Sequence, residues 1–165
     1  MEGPLKDLGP CAVIYNSQDL GPTFGGVVFK HSVESRMIKE DQQGTYEVDG
    51  IVVGGSCEVT VPLTRTTLAK LGTVIPGADV SDDELIARSA SGQSMLDNAH
   101  ELILKPIEDG VATSDQTKWL TLPKAYPVPD LELPFDNEGQ RVYRVVFKAL
   151  LDTDNNVLFK MGSNA

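Results

Sequence analysis

The sequence predicts a mainly β fold, an antiparallel β-sandwich or barrel with one short flanking α-helix. Many short stretches alternate apolar and polar residues with a period of two, few residues follow a helical pattern, and strands do not alternate with long helices. The 165 residues are 41% hydrophobic and 23% charged, which suits one globular domain. We therefore expect a single domain over residues 1–165, with an extended loop around residues 40–54.

The first third of the chain is dominated by strand patterns. CAVIY at 11–15 is a strand followed by a turn at Asn16 and Ser17. Residues 27–33 alternate with period two, and ESRMIKE after them can continue this strand or pair back against it. DQQG then makes a turn, in which Gly44 can adopt a positive φ.

Residues 55–61 form the clearest half-buried strand. Cys57, Val59 and Val61 point to one face, and polar side chains point to the other. Pro62 cannot donate a hydrogen bond to a neighbouring strand, so we expect the strand to close there.

Two segments have helical features. LTRTTLAKLG predicts a short helix that Thr64 caps and Gly72 ends, with Leu68 and Leu71 on one face. SDDELIARSA predicts a second helical turn, because its Ser and Glu have the spacing of a capping box.

The second half of the chain predicts further strands. HELILKPI at 100–107 is a strand ended by Pro106, whereas residues 121–134 carry four prolines and are expected to be extended, irregular chain. RVYRVVFKALLD and NVLFKMG flank the polar turn DTDNN and predict a closing hairpin. The inward residues of its first strand would be Tyr143, Val145, Phe147 and Ala149.

The charge and the cysteines limit the function classes. The formal net charge is −10 and the basic residues are scattered singly, which argues against a surface that grips phosphates. With no signal-peptide pattern and no run of 18 apolar residues, we expect neither export nor membrane insertion. Cys11 and Cys57 each lie in an apolar strand, and we expect two free thiols in a reducing compartment.

No constellation of catalytic or metal-binding residues emerges. His31 and His100 lack metal-ligand spacing, and each is expected to be satisfied by packing. GGSCE at 54–58 lacks the GxSxG arrangement of an exposed nucleophile. DTDNNV starts like a calcium loop but has Val157 where that loop needs glycine, so a plain hairpin turn is favoured. Nucleotide motifs are also missing, and we expect no enzyme activity, metal or cofactor.

Several segments in this order resemble the tail tube proteins of long-tailed bacteriophages. The resemblance lies in GGVVFKHSVESRMIKEDQQGTYEVDGIVVGGSCEVTVPL, ELILKP, LPKAYPVPDLELPFDNEGQRVYRVVFKALLD and LFKMG. It implies a tail-tube-like sandwich that assembles into stacked hexameric rings, through which double-stranded DNA passes without specific binding. The implied partners are the tape measure, terminator, baseplate and, in some tails, sheath proteins. The implied location is the virion tail, assembled in the host cytoplasm.

Two sequence features fit such a ring. An acidic bore would repel DNA, although solubility alone also explains the charge. VDGIVVGG has little edge protection and could pair with the next subunit, while the turn at residues 40–46 orders on a neighbouring ring; an ordinary hairpin packed on its own core is the alternative. Expected contact residues are Asp41, Gln42, Gly44, Val48, Ile51, Val52 and Val53. Expected lumen-facing acids are Glu47, Asp49 and Glu58.

Three other functions remain open. A tail terminator or the tube ring of a type VI secretion system would share the fold and differ in stacking. A carbohydrate-binding β-sandwich would need exposed aromatic platforms, and this chain has one tryptophan, Trp119.

Overall fold

A computed structural model describes residues 9–162, which form a mainly β, antiparallel structure with one α-helix. The helix is α1 (Leu68–Val74). The strands are β1 (Cys11–Tyr15), β2 (Gln18–Asp19), β3 (Val28–Lys39), β4 (Glu47–Leu63), β5 (Ala78–Val80), β6 (Leu85–Ala87), β7 (His100–Glu108), β8 (Val111–Ala112), β9 (Leu120–Asp130), β10 (Tyr143–Ala149) and β11 (Lys160–Met161). Short 3-10 turns lie at Asp41–Gln43 and Gln116–Lys118.

Nine of the strands in the described chain form one antiparallel sheet. Its order is β2-β1-β7-β9-β10-β4-β3, with β11 on β9 and β8 on β7, while β5 and β6 form a separate hairpin. The predicted antiparallel, mainly β fold with one helix is therefore confirmed. No pairing joins β2 to β3 in this part of the chain, so the barrel is not closed.

The sheet curls around one hydrophobic core. Cys57, Val59 and Val61 of β4 are buried as predicted, because alternate residues of a strand share a face. Val145 and Phe147 of β10 meet them from the neighbouring strand. The rest of the buried cluster is Val13, Tyr15, Leu20, Leu63, Leu71, Val74, Leu102, Leu104, Leu122 and Ala125, with Tyr143 and Ala149 packed against it.

The turn between β1 and β2 forms as predicted. Asn16 and Ser17 have φ angles of 51° and 64°, which suit a two-residue hairpin turn of the primed type. Tyr15 pairs with Gln18 directly across it.

The predicted helix is shifted toward the C-terminus. Thr67, not Thr64, is the N-cap, because its side chain accepts a hydrogen bond from Lys70 N at 3.3 Å. Gly72 does not end the helix but lies within it, facing Val80 of β5 so closely that a Cβ would overlap that side chain. The buried face is Leu71 and Val74, not Leu68 and Leu71.

The prediction of a second helical turn is wrong. SDDELIARSA contributes instead to the β5–β6 hairpin, in which Ala78 pairs with Ala87 and Val80 with Leu85. Ser81 N donates to Glu84 O at 2.9 Å, so the two residues close a turn between strands rather than a capping box. The close approach of β5 to α1 favours the strand conformation over local helix propensity.

Prolines do not end strands where the sequence predicts. β4 continues one residue beyond Pro62, to Leu63, and β7 continues beyond Pro106 to Glu108. Ile107 N donates to Pro10 O at 3.0 Å, which extends the pairing past Pro106. A proline without a donor is tolerated where its nitrogen faces away from the partner strand.

The proline-rich segment expected to be irregular is the interior strand β9. Pro127 and Pro129 pair with Phe147 and Val145 of β10, while the pairing of β7 with β9 ends at Ala125. On the β7 side these two prolines therefore remove no ladder hydrogen bond. Pro123 lies at the register shift between β7 and β9, where an irregular ladder tolerates a missing donor.

The predicted closing hairpin is also wrong in its pairing. Asp152 and Val157 do bridge each other around the polar turn, with backbone bonds of 2.9 and 3.1 Å. After that bridge the chain leaves β10, and β11 pairs with β9 through Lys160 and Thr121. Phe159 packs its ring 5.0 Å from Phe29, which places the C-terminal segment against the core side of β3.

Candidate functional site

The histidines and cysteines of the described chain contact neighbouring protein groups and form no recognisable catalytic arrangement. His31 Nδ1 lies 3.2 Å from Ser56 O, and the His100 ring is edge-on to Tyr15. Cys57 is buried and Cys11 half-buried, and both thiols are free. Burial raises the pKa of Cys57 to about 11 and also raises that of Cys11, so neither is an activated nucleophile.

Residues 9–162 contain no group of three or more His, Cys, Asp or Glu side chains that could hold a metal ion. The DTDNN segment, predicted as a plain turn rather than a calcium loop, is a closed turn in which the Asp152 carboxylate accepts hydrogen bonds from Asn155 Nδ2 at 2.9 Å and Asp154 N at 3.3 Å. The Asn155 contact lowers the pKa of Asp152. In the same range, no helix has the length and apolar character to cross a membrane.

Trp119 is not an open aromatic platform. Its Nε1–H donates to Thr113 O at 2.9 Å, and the Lys105 ammonium lies 4.1 Å from the ring centroid. Sugars stack on bare aromatic faces, whereas this face carries a cation. The carbohydrate-binding alternative therefore gains no support from its single tryptophan.

The outer half of the β3–β4 pair is the most unusual surface of the described chain. Every residue from 33 to 56 is exposed, and we call this segment the projecting hairpin. It includes residues 47–54, which were expected as loop but are strand in the structure. The β3–β4 pairing extends from the core, at Phe29 and Val59, out to Lys39 and Glu47.

Two irregularities shape the ladder of the projecting hairpin. The register shifts between Glu34 and Ser35, and again between Ile38 and Lys39. On β4 these shifts leave Val53 and Val48 without a directly opposite residue, which is the arrangement of a β-bulge. Bulges bend and twist a strand, so they redirect the hairpin on its way out of the sheet.

Apolar side chains lie on both faces of the projecting hairpin. Ile38 and Ile51 share one face, since their partners Asp49 and Arg36 lie opposite them in the ladder, and Met37 and Val52 share the other. Neither face packs on the core. The exposed apolar residues are Val33, Met37, Ile38, Tyr46, Val48, Ile51, Val52 and Val53.

One edge of β4 is bare along the projecting hairpin. β10 pairs with β4 only from Glu58 to Leu63. Over residues 47–57 the described chain therefore provides no strand on that side. Within this stretch, the Gly50 N–H donates to the Asp49 carboxylate at 2.7 Å. An uncovered edge of this length presents unpaired backbone groups to a partner strand.

The tip contains the predicted polar contact residues. Asp41 and Gln42 lie in the 3-10 turn, and Gly44 follows it with φ 69° and ψ −126°, a conformation that favours glycine. Together with Val48, Ile51, Val52 and Val53, all seven expected contact residues lie on the projecting hairpin and are exposed. Sequence reasoning missed Val33, Met37 and Ile38 on the opposite strand, although these apolar residues stand among polar ones in VESRMIK.

The three expected lumen-facing acids do not form one group. Asp49 and Glu58 lie on the same face of β4, but Glu47 pairs with Lys39 and points to the other face. Glu58 is half-buried and has a lysine opposite it on each side, Lys30 on β3 and Lys148 on β10. Its charge is therefore partly balanced within the chain.

Comparison with protein-family models and with curated proteins finds no match for this chain.

Proposed function

We propose that this chain is a structural subunit of a bacteriophage tail tube, which assembles into stacked hexameric rings that form the DNA conduit. One observation supports the proposal most: a long hairpin, exposed on both faces, carries apolar side chains and a bare strand edge. A tail tube subunit needs such a surface to contact its neighbours. The order of sequence segments that resembles tail tube proteins supports the same proposal.

The apolar residues of the projecting hairpin favour a protein partner. Burying one valine or isoleucine side chain stabilises a contact by roughly 1.5–3 kcal/mol. Ile51, Val52 and Val53 are consecutive and each more than half exposed. Exposed apolar side chains concentrated in one segment are typical of interaction sites.

The bare edge of β4 favours a partner that is itself a strand. An edge strand of another copy would satisfy the unpaired backbone groups of residues 47–57. A head-to-tail contact between identical chains closes into a ring when the rotation between copies closes. This contact would explain why one chain exposes such an edge with no proline and with only Glu47 and Asp49 as charged residues along it.

The charge fits a conduit rather than a DNA-binding protein. A net charge of −10 per chain makes a ring of such chains strongly acidic, and like charges repel the phosphates of passing DNA. The proposed partners are other copies of the chain and the tape measure, terminator, baseplate and sheath proteins of the tail. The proposed location is the virion tail, after assembly in the host cytoplasm.

The test is the particle formed by the purified chain. Light scattering after size-exclusion chromatography and negative-stain electron microscopy should show hollow rings or tubes as concentration rises. Long tubes favour a tail tube or a type VI-like tube, and single rings favour a terminator. A monomer at all concentrations and salt conditions would contradict the proposal.

A matched pair of variants locates the contact. Val52 on the projecting hairpin and Val111 on β8 are exposed to nearly the same extent, 69% and 68%. Val52→Lys should abolish rings because it puts a charge in the proposed interface, whereas Val111→Lys should leave them intact. Equal effects of the two substitutions would show that the projecting hairpin is not the contact surface.

A further inference from the structure

The Asp49–Gly50 pair has an arrangement that its neighbours in the ladder lack. The Asp49 carboxylate oxygen Oδ1 lies 2.7 Å from the backbone nitrogen of Gly50, the next residue. Gly50 lies opposite Met37 of β3, and its N–H donates to the carboxylate of the preceding residue. The nitrogen is therefore next to the carboxyl group of Asp49.

We propose that Asp49–Gly50 is a site of spontaneous isoaspartate formation in the unassembled chain. The Gly50 nitrogen attacks Cγ of Asp49 and forms an N–Cγ bond, and the nitrogen proton and one carboxyl oxygen leave with a second proton as water. A five-membered succinimide results. One water molecule then opens the ring at either carbonyl and gives aspartate or isoaspartate, with no net oxidation or reduction.

Three features of the site favour this reaction. Gly50 has no Cβ to shield its nitrogen from the carboxyl group. The side of β4 that faces away from β3 is bare over residues 47–57, so the described chain provides no second strand beside Gly50. Register shifts on either side, at Val48 and Val53, interrupt the regular strand pairing near Gly50.

A second Asp–Gly pair serves as an internal comparison. Asp109 and Gly110 form the two-residue turn between β7 and β8, with φ angles of 52° and 81°. That turn fixes both residues in left-handed conformations, and within the described chain no hydrogen bond joins the Asp109 carboxylate to Gly110 N. The same dipeptide is thus present twice in the described chain, with a hydrogen bond between the carboxylate and the following nitrogen at one site only.

Isoaspartate at position 49 would disturb the projecting hairpin. The main chain would pass through the Asp49 side chain and gain one methylene group. Strand pairing tolerates extra backbone length only at bulges, and a change of register moves side chains to the opposite face. Ile51 and Val52 would then lose their present positions relative to β3.

The test is incubation of the dilute full chain in mildly acidic buffer at physiological temperature. Peptide mapping with electron-transfer fragmentation then measures isoaspartate at each Asp–Gly pair. We expect isoaspartate to accumulate faster at position 49 than at position 109. Equal accumulation, or more at position 109, would overturn the proposal.

Two conservative variants separate the sites. Asp49→Glu keeps the charge but requires a six-membered ring, so the chain should lose most of the isoaspartate detected by methyltransferase labelling. Asp109→Glu should keep most of it; the opposite pattern would also overturn the proposal. The reaction is measured on dilute, unassembled chain, so its outcome does not depend on whether rings form.

Discussion

The ring of Tyr15 on β1 lies 4.9 Å, centroid to centroid, from the ring of Phe147 on β10. Two strands, β7 and β9, separate β1 from β10 in the sheet. Neighbouring strands are about 4.8 Å apart, so strands this far apart in a flat sheet would not touch. The contact exists because the sheet curls, and it joins two distant parts of the sheet across the core.

Phe147→Ala should be among the most destabilising single substitutions. The Phe147 side chain is fully buried, and removing it leaves a cavity between β1 and β10. We expect a loss of about 3–5 kcal/mol in the free energy of unfolding, measured by urea denaturation. Phe135→Ala is the control, because Phe135 is largely exposed, and it should cost less than about 1 kcal/mol.

Alkaline pH should unfold the protein partly through Tyr15. Burial raises the pKa of Tyr15 to about 12, above its usual value of about 10. Because the folded-state pKa is the higher one, this contribution to stability is complete below pH 10 and is lost as the pH rises toward 12. The urea midpoint should fall across this window.

The Tyr15→Phe variant tests whether Tyr15 causes this loss of stability at alkaline pH. The variant loses the hydrogen bond from the Tyr15 hydroxyl to Ala125 O, 3.1 Å long, which should cost about 0.5–1.5 kcal/mol at neutral pH. It should also show a smaller fall in the urea midpoint between pH 10 and 12. An unchanged fall would assign the effect to other groups.

Two valines of the same strand should respond in opposite ways. Val59→Ala removes buried methyl groups and should cost about 1.5 kcal/mol or more in the free energy of unfolding. Val52→Ala on the projecting hairpin should change it by less than about 0.5 kcal/mol. A large loss for Val52→Ala in dilute, unassembled chain would mean that the hairpin packs on the body.

Thiol labelling should report on the opening of the fold. Cys57 is buried beside Val59 and its pKa is raised, so it should react very slowly with iodoacetamide in the native state near neutral pH. In urea both cysteines should react at the rate of free thiols. Fast native labelling of Cys57, checked by mass spectrometry, would contradict its burial.

The strands with clear alternation could be predicted from the sequence, and the elements fixed by tertiary contacts could not. The Cys57, Val59 and Val61 face was clear because its period of two is uninterrupted. β9 was missed because local rules count prolines as breakers, whereas Pro127 and Pro129 lie where β7 no longer pairs with β9. The β5–β6 hairpin was missed because the local sequence SDDELIARSA favours a helical turn. Its strand conformation depends on the packing of β5 against α1, which a local pattern does not show.

The candidate site was located by sequence only in part. A run such as GIVVGG indicates a strand, but the same valines would suit a buried strand equally well. Their exposure follows from where β10 stops pairing with β4, at Glu58, and no local pattern encodes that end point. The separation of Glu47 from Asp49 depends on the bulge at Val48, which is also set by pairing.

β4 is one unbroken strand of 17 residues, anchored between two neighbours at its C-terminal end and free on one side along the rest. No loop separates those two parts, although bulges at Val53 and Val48 bend the strand beyond its anchored end. A mechanical load applied at the tip is therefore carried along the backbone directly to the valines of the core. Tension on the hairpin would therefore be transmitted to the whole sheet.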